Sequence, residues 1–420
     1  MKDDIHPCLG RVPLELQLVI ACIRAFTGHD KREMIEALCC KAIDWDAFTL
    51  LVDRHRVPTA VYNTLNTLSG ENIPDATLDR LKKRSRRKTQ QVLARAAELV
   101  RTVQLFEQGS IPALPLKGPV LAMQSYGDLG SRHVGDLDIM VSPESLEMAE
   151  DILTRQGYQR IHPDFQLTRK QRQIYMRNVH HFAYFSQDKG IEIELHWRFG
   201  PNPHLFPLTF EDLWKDRQII RLGGADMACL SLEHTILLIC THGAIHAWFR
   251  LFWLNDLALI VTKNDSIDWD MLMHHAIRLG LARMVAQGMI LANRLLGSFL
   301  PEPVWAFAKS DKHLQRFVKA SFYLIRYQGE MPYTPHAPAY WHHKYNSFML
   351  RSNLKYKLGF CFKHLDASHT DLNRISLPNF LFPLYYFIRP VTWFLRWYAR
   401  WTKVYREGPM GRRTGNESTR

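Results

Sequence analysis

One segment in the first half of the chain decides the predicted fold: Arg132-His133-Val134-Gly135-Asp136-Leu137-Asp138-Ile139-Met140-Val141. Its alternation predicts a β-strand over residues 136–141, in which side chains two positions apart share a face. Asp136 and Asp138 therefore point the same way, while the apolar residues between and after them point into a core. Paired carboxylates on a rigid strand suit Mg²⁺, which proteins hold through one or two carboxylates together with substrate phosphates. Because isolated Asp-x-Asp pairs also occur on solvated faces, the surrounding sequence decides what this pair does.

Composition indicates a globular protein with an anionic partner. The chain has 420 residues, more than one hydrophobic core usually serves, so two or more subdomains are expected. Hydrophobic residues make up 46% of the chain, which is enough for a sizeable core. The formal net charge of +13 favours a nucleotide, a nucleic acid or an acidic membrane surface as partner, without choosing among them.

Cysteine usage and the N-terminal residues favour the cytoplasm. The seven cysteines are scattered and include no Cys-x-x-Cys pair, which argues against a disulfide framework and against a thiolate zinc site. Residues 1–7 lack the apolar core of a signal peptide, and no run reaches the roughly 18 uninterrupted apolar residues of a membrane span. We therefore expect a cytoplasmic protein that is either soluble or peripheral on the inner face of the membrane.

Residues 1–108 form a predicted N-terminal helical region. Apolar residues recur there at helical spacing, in the segments Leu14–Phe26, Met34–Ile43, Trp45–Leu68 (in two pieces around Pro58) and Asp75–Glu107. The basic run Arg80–Lys88 has two interpretations. It is either a solvated helix face or a groove for RNA or an acidic substrate, although no aromatic residue is interleaved to stack on bases.

Residues 109–230 form a predicted α/β domain of about 120 residues, a usual domain size. Strand patterns alternate there with helical ones. The predicted strands are Ser110–Leu116, Asp136–Val141, Tyr158–Ile161, His181–Ser186 and Ile191–Trp197, and the predicted helices are Val120–Tyr126 and Glu144–Gln156.

Helical spacing returns in residues 231–327, which form a predicted helical domain. Its segments are Ser231–Trp248, Phe252–Thr262, Asp268–Leu279, Met284–Leu296 and Pro301–Tyr327. Residues 328–376 are rich in His, Tyr and Pro and carry no assignable pattern. Residues 406–420 are expected to be disordered.

The segment 377–405 combines aromatic with basic residues. Arg389, Arg396, Arg400 and Lys403 follow one stripe of a predicted helix, opposite aromatic side chains. Such a helix either lies in the interface of an anionic membrane or packs on the protein's own body. The sequence leaves both interpretations open.

A second predicted strand supplies a third acid to the pair at Asp136 and Asp138. Glu192, Glu194 and His196 share one face of that strand, with apolar residues opposite. Glu194 is the candidate for a third metal ligand, or for the general base that deprotonates an attacking hydroxyl.

Upstream, Lys117-Gly118 ends a strand where a helix begins. A glycine at this point lets a phosphate approach the backbone N–H groups of the helix N-terminus. Lys117 and Arg132 add positive charge that would stabilise a leaving pyrophosphate. Each residue also has a structural interpretation: a surface lysine, a helix cap at Gly118, and a salt-bridge partner at Arg132.

Histidines accompany these motifs. His242 and His246 lie four positions apart on a predicted helix, a spacing that can bind zinc. No Glu follows His242, so the zinc-protease motif is absent and a hydrogen-bonding or substrate-lining role is expected instead. His181 and His196 are expected to approach the site from adjacent strands, as substrate-lining residues, as supports for the metal ligands, or as core residues.

The ordered combination of these motifs resembles the uncharacterised nucleotidyltransferase family, within the DNA-polymerase-β-like nucleotidyltransferase superfamily. The resemblance covers roughly residues 35–262. It rests on Ile43-Asp44-Trp45, Val57-Pro58, Leu116-Lys117-Gly118, Tyr126, Arg132, Asp136-Leu137-Asp138-Ile139, Glu194-Leu195-His196-Trp197-Arg198, Thr241–Trp248 and Leu251–Ala258.

This resemblance implies a two-layer α/β catalytic domain with a mixed β-sheet, flanked by helical regions on both sides. It also implies transfer of a nucleoside monophosphate from an NTP to an unknown acceptor, dependent on Mg²⁺ or Mn²⁺, with release of pyrophosphate. Asp136, Asp138 and Glu194 would be the metal ligands and catalytic acids, and Lys117-Gly118 would occupy the phosphate-loop position.

Two departures from the superfamily pattern keep other functions open. Pro119 follows Gly118, where relatives usually have Ser or Gly, and it removes one N–H donor. Glu194 stands where relatives generally have Asp. A catalytically weakened nucleotide-binding or regulatory module of the same fold is therefore an alternative. An RNA-directed factor that uses the basic run Arg80–Lys88 is another.

Overall fold

The computed structural model describes residues 12–29, 32–68, 72–327, 338–375 and 377–407. Its N-terminal region is helical, as predicted. The apolar side chains of the first four helices pack in one shared core. The fifth helix is long, with 34 residues, and leads to the first strand of the sheet. These helices are α1 (Leu14–Phe26), α2 (Arg32–Cys39), α3 (Trp45–Arg54), α4 (Pro58–Leu65) and α5 (Asp75–Gln108).

A five-stranded mixed sheet forms the centre of the molecule, in the order β1-β2-β5-β4-β3. β2 and β5 are parallel neighbours, and the other pairs are antiparallel. The strands are β1 (Ala113–Pro115), β2 (Leu137–Val141), β3 (Gln159–His162), β4 (His181–Ser186) and β5 (Ile191–His196), and the helices between them are α6 (Pro119–Tyr126), α7 (Leu146–Arg155) and α8 (Arg169–Asn178), with a 3₁₀ turn at Pro143–Ser145.

The two faces of the sheet contact different cores. Leu137, Ile139 and Val141 of β2 pack with side chains of α5 and α7 in one cluster. Met140, on the opposite face, belongs to the larger core formed by the N-terminal and C-terminal helices. Because Asp138 shares the Met140 face, its carboxylate lies between the sheet and the helical body, where water has limited access.

Helices dominate the rest of the chain. A short helix and a hairpin lead into them: α9 (Phe210–Lys215), β6 (Gln218–Leu222) and β7 (Ala225–Cys229). The helices that follow are α10 (Leu232–Ile245), α11 (Leu251–Lys263), α12 (Trp269–Leu279), α13 (Ala282–Leu296), α14 (Glu302–Ser310), α15 (Leu314–Arg326), α16 (Pro338–Met349), α17 (Leu354–Leu365), α18 (His369–Arg374) and α19 (Tyr385–Glu407), with a 3₁₀ segment at Asn379–Leu384.

Several predicted elements differ from those observed. The predicted strand 136–141 begins at Leu137, which leaves Asp136 in the preceding loop. The single predicted helix Pro301–Tyr327 is two helices, α14 and α15, and segment 328–376 contains three helices that the sequence pattern did not indicate. Helix α8 and the β6–β7 hairpin were also missed. Disorder was predicted over residues 406–420, but the last helix continues through Arg406 and Glu407, and residues 408–420 lie outside the described ranges.

The C-terminal segment forms the predicted helix, α19. Its Arg389 pairs with Asp371 of α18 at 2.8 Å, so one side of the helix packs on the protein. Arg389 is the one residue of the predicted basic stripe whose side chain the structure describes. The side chains of Arg396, Arg400 and Lys403 lie outside the described part of the chain. Among the described residues, no helix is both long and apolar enough to cross a membrane.

Candidate active site

Asp138 and Glu194 face each other across the parallel strands β2 and β5. The strand register pairs Asp138 with Glu194 directly, and Leu137 with Ile193. Residues paired in this way project to the same face at neighbouring positions. Asp138, Glu194 and His196 each offer a ligand atom within 4.8 Å of the other two, a separation that a single metal ion could bridge.

His196 holds the two carboxylates together. Its Nε2 lies 3.1 Å from Asp138 Oδ1 and 3.2 Å from Glu194 Oε2. Burial by itself lowers the pKa of His196, but the contacts with these acids raise it overall, to about 9. A protonated imidazole at this position donates to either carboxylate and offsets part of their negative charge. His181 approaches Glu194 from β4, with Nε2 at 3.6 Å from Oε1.

Lys117 binds the same acidic group. Its Nζ lies 3.0 Å from Asp138 Oδ1 and is largely buried. Burial lowers the pKa of Lys117, yet the surrounding acids Asp138, Asp136 and Glu194 raise it on balance, so the side chain is an ammonium. The predicted phosphate-binding cation is therefore an ion-pair partner of Asp138 in the structure.

Gly118 makes the turn from β1 into α6. It has φ +68° and ψ −134°, a conformation that residues with a Cβ rarely adopt, and Pro119 is the first residue of the helix. The positive φ is therefore the reason for a glycine here, since the space around it would admit a Cβ at ordinary contact distance, 3.7 Å from the carbonyl oxygen of Asp136.

Asp136 belongs to the same acidic group, since Asp138, Lys117 and Glu194 all act on its carboxylate. It is half-buried in the loop before β2, and repulsion from Asp138, followed by burial, raises its pKa. Attraction to Lys117 acts in the opposite direction and does not cancel this repulsion. The two aspartates therefore repel each other, and a cation bound between them would reduce this repulsion.

Arg132 lies in a different environment from the one that the sequence predicted for a phosphate ligand. Its guanidinium is buried and contacts both carboxylate oxygens of Asp256, through Nε at 3.1 Å and Nη2 at 2.9 Å. Tyr126 donates its hydroxyl to the same carboxylate at 2.8 Å, and Arg132 Nη1 donates to the carbonyl of Gly118 at 3.3 Å. These contacts support its structural interpretation, because they tie the glycine turn to α11.

His242 and His246 lie next to each other, but not both on a helix. Helix α10 ends at Ile245, so His246 is its C-cap. The His246 ring stacks on Trp253 at 5.3 Å, and the His242 ring meets the same indole edge-on at 5.2 Å. Burial, and secondly the charge of Lys117, lowers the pKa of both, to about 4 at His246. Neither belongs to a metal-ligand group within the described residues.

The basic run of α5 is partly neutralised by α3. Arg80 pairs with Asp46 at 2.7 Å, and Arg84 pairs with Asp53 at 2.9 Å. The solvated-face interpretation therefore fits the first part of the run better than a nucleic-acid groove does. Lys88, at its end, forms no ion pair with any described carboxylate.

Fold and site together define the class of protein. The mixed sheet with flanking helices, and the acids on its adjacent parallel strands, correspond to a nucleotidyltransferase-like fold. The chain belongs to the uncharacterised nucleotidyltransferase family, which it matches over residues 41–297. No curated protein and no solved structure matches the chain significantly.

The sequence did not single out Asp256 as the partner of Arg132, nor Arg56 and Arg95, both of which interact electrostatically with Asp136. One signal for Asp256 was available: a carboxylate within the otherwise apolar Leu251–Lys263 must find a buried partner. For Arg56 and Arg95 there was no comparable signal, since they lie in the N-terminal region and reach the site only through tertiary packing.

Proposed function

We propose that this protein transfers a nucleoside monophosphate from an NTP to an acceptor, with a divalent metal ion and release of pyrophosphate. The observation that carries the proposal is the direct pairing of Asp138 with Glu194 on parallel strands, with Asp136 beside them. Membership of a nucleotidyltransferase family supports the general activity.

The donor set fits a hard divalent cation. Asp136, Asp138 and Glu194 offer only carboxylate oxygens, the ligands that Mg²⁺ and Mn²⁺ prefer. When bound, the metal would acidify the attacking hydroxyl and neutralise charge on the phosphates.

The side chains have separate tasks in the proposed reaction. Glu194 accepts the proton of the acceptor hydroxyl, whose oxygen forms a bond to the α-phosphorus. The bond from the α-phosphorus to the bridging oxygen breaks, and its electron pair leaves with pyrophosphate. His196 keeps Glu194 and Asp138 in position, and Lys117 limits the repulsion between the acids.

A direct assay tests this proposal. The protein is incubated with Mg²⁺ and each of the four α-labelled NTPs, with small hydroxyl acceptors, lipid extracts, RNA and the protein itself as acceptors. We expect labelled product and pyrophosphate with at least one NTP, abolished by EDTA and restored by Mg²⁺ or Mn²⁺. Absence of both product and NTP binding in the wild type would reject the proposal.

A weakened, regulatory nucleotide-binding module is the second candidate. The Lys117–Asp138 ion pair favours it, since a resident ammonium can neutralise the acids without a metal. In the assay above, this candidate predicts NTP binding without turnover for any acceptor. Turnover that requires Mg²⁺ would exclude it. An RNA-directed function would instead predict labelling of RNA alone.

We further propose that α19 binds an anionic membrane surface from the cytoplasmic side. Phe387, Val391 and Leu395 recur every four residues along one stripe, and their exposed fractions are 76%, 58% and 57%. The opposite side of the helix packs on α18 through Arg389. An exposed apolar stripe on a positively charged protein suits the headgroup region of a membrane.

Flotation with liposomes tests the membrane proposal. We expect full-length protein to float with anionic vesicles, and the Phe387→Ser/Val391→Ser/Leu395→Ser variant to lose most of this binding, because the stripe no longer enters the headgroup region. A matched control removes three exposed apolar side chains elsewhere: Leu50→Ser/Met271→Ser/Ile277→Ser. Equal flotation of the two variants would contradict the proposal.

A further inference from the structure

Cations from three separate segments lie near Asp136 or near one another. Arg56 comes from the loop between α3 and α4, Lys88 and Arg95 from α5, and Arg250 from the loop before α11. Lys88 and Arg95 are two helical turns apart on one side of α5, about 10 Å along its axis. All four side chains are half-buried. They lie outside the predicted phosphate loop at Lys117-Gly118.

Contacts of Arg95 and Arg56 place these two cations of the cluster beside the loop that leads to Asp136. Arg95 Nε donates to the carbonyl of Gly135 at 2.8 Å, immediately before the aspartate. The Arg56 guanidinium lies 5.8 Å from the centre of the Phe252 ring, and the His133 ring lies 5.8 Å from the same ring on the loop that leads to Asp136. The cluster therefore borders the loop that carries the first of the acids.

The cluster has an excess of positive charge. Within the described part of the chain, Arg56, Lys88 and Arg95 form no ion pair with a carboxylate. Burial, and then mutual repulsion with Arg250, lowers the pKa of Arg56 to about 10, while Asp136 acts against this shift. Burial and then Arg95, Arg56 and Arg87 lower the pKa of Lys88, while Asp53 acts against this shift. Repulsion of this kind is relieved by a bound polyanion.

The predicted phosphate loop is less suited to that task. Lys117 is committed to Asp138, Pro119 has no N–H, and Arg132 is paired with Asp256. The N-terminal helices and the loop at Arg250 thus provide the positive charges that could bind a triphosphate.

We propose that Arg56, Lys88, Arg95 and Arg250 bind the triphosphate of the nucleotide and then the leaving pyrophosphate, an inference that rests on the proposed nucleotide transfer. As the bond between the α-phosphorus and the bridging oxygen breaks, its electron pair stays on that oxygen. The cluster stabilises this developing charge, and the acceptor's proton goes to Glu194.

Calorimetric titration of the full chain with inorganic pyrophosphate, without divalent metal, nucleotide or acceptor, tests this inference. We expect Arg56→Gln and Lys88→Gln each to weaken binding by about tenfold or more, as for a lost charge-assisted contact. Arg86→Gln is the matched control, because Arg86 is exposed on α5, two residues before Lys88. It should change the affinity by less than about twofold.

Thermal unfolding shows whether the variants are folded. Because each substitution removes repulsion, we expect melting temperatures without ligand equal to or above that of the wild type. Pyrophosphate should raise the melting temperature of the wild type and of Arg86→Gln, but raise it less in the other two variants.

Two results would overturn the inference: no pyrophosphate binding by the wild type, or an equal loss in Arg86→Gln. The outcome is independent of turnover. Intact pyrophosphate binding that depends on Arg56 and Lys88, combined with no labelled product from any NTP, would reject the proposed transfer and leave the cluster as a polyphosphate site.

Discussion

Asp136→Asn is expected to reduce metal-dependent nucleotide transfer by about 10³-fold or more, equivalent to about 4 kcal/mol of transition-state stabilisation. The amide keeps the shape of the side chain but removes the negative charge that a divalent cation requires. Folding should be unaffected, since the carboxylate is repelled by Asp138 and the substitution removes that repulsion. Rates of labelled product formation and thermal melts of both proteins check the two halves of the prediction.

Asp136 is a cleaner test than Asp138. Asp138 is buried and contacts both Lys117 and His196, so its replacement also leaves a buried ammonium without its partner. Asp188→Asn serves as the control, because this aspartate is exposed in the turn between β4 and β5. A fall in activity of similar size in both variants would count against a specific role for Asp136.

Asp256→Ala is expected to lower the free energy of unfolding by about 3–5 kcal/mol, the usual cost of breaking a buried ion pair from one side. Arg132 and Asp256 have side-chain exposures of 5% and 1%, so water cannot replace the lost carboxylate. The hydroxyl of Tyr126 loses its acceptor as well. Urea denaturation, followed by tryptophan fluorescence, measures the change.

A surface pair on the same chain provides the comparison. Arg221 and Asp226 are 3.6 Å apart with exposures of 74% and 71%, and Asp226→Ala should cost at most about 1 kcal/mol. Replacing both buried partners, as Arg132→Met/Asp256→Leu, should recover much of the lost stability. If Asp256→Ala cost no more than Asp226→Ala, the proposed link between the glycine turn and α11 would be incorrect.

Strand patterns predicted the centre of the fold well. In Leu137–Val141 and Ile191–His196, every second residue is apolar because one face of the sheet packs on α5 and α7. This spacing can be recognised in the sequence. Helix α8 was missed because most of its residues are polar. Its start could have been recognised from the sequence, since Thr168 and Gln171 form a capping box. The β6–β7 hairpin turns at Gly223 and Gly224, and its strands contain both polar and apolar residues. Its sequence therefore predicts strands less clearly than that of β2 or β5.

The candidate site was predicted in part. The sequence indicated Asp136, Asp138 and Glu194 from spacing, and the observed register brings the last two together. Whether these residues hold metal stays a prediction. Lys117 and Arg132 were expected to face phosphate, yet both pair with acids, because pairing depends on which segments meet in space and not on local spacing. The basic run Arg80–Lys88 was a signal for the Lys88 side of α5, but no pattern pointed to Arg95, which donates to the carbonyl of Gly135.

Binding of Mn²⁺, followed by electron paramagnetic resonance in the presence of an NTP, tests the central claim most directly. The proposed arrangement predicts one bound ion or a pair of ions in the wild type and in Asp188→Asn. It predicts affinity at least about tenfold weaker in Asp136→Asn and in Glu194→Gln, since each removes a charged ligand. Equal Mn²⁺ affinity in all four proteins would contradict a metal–nucleotide site at these acids.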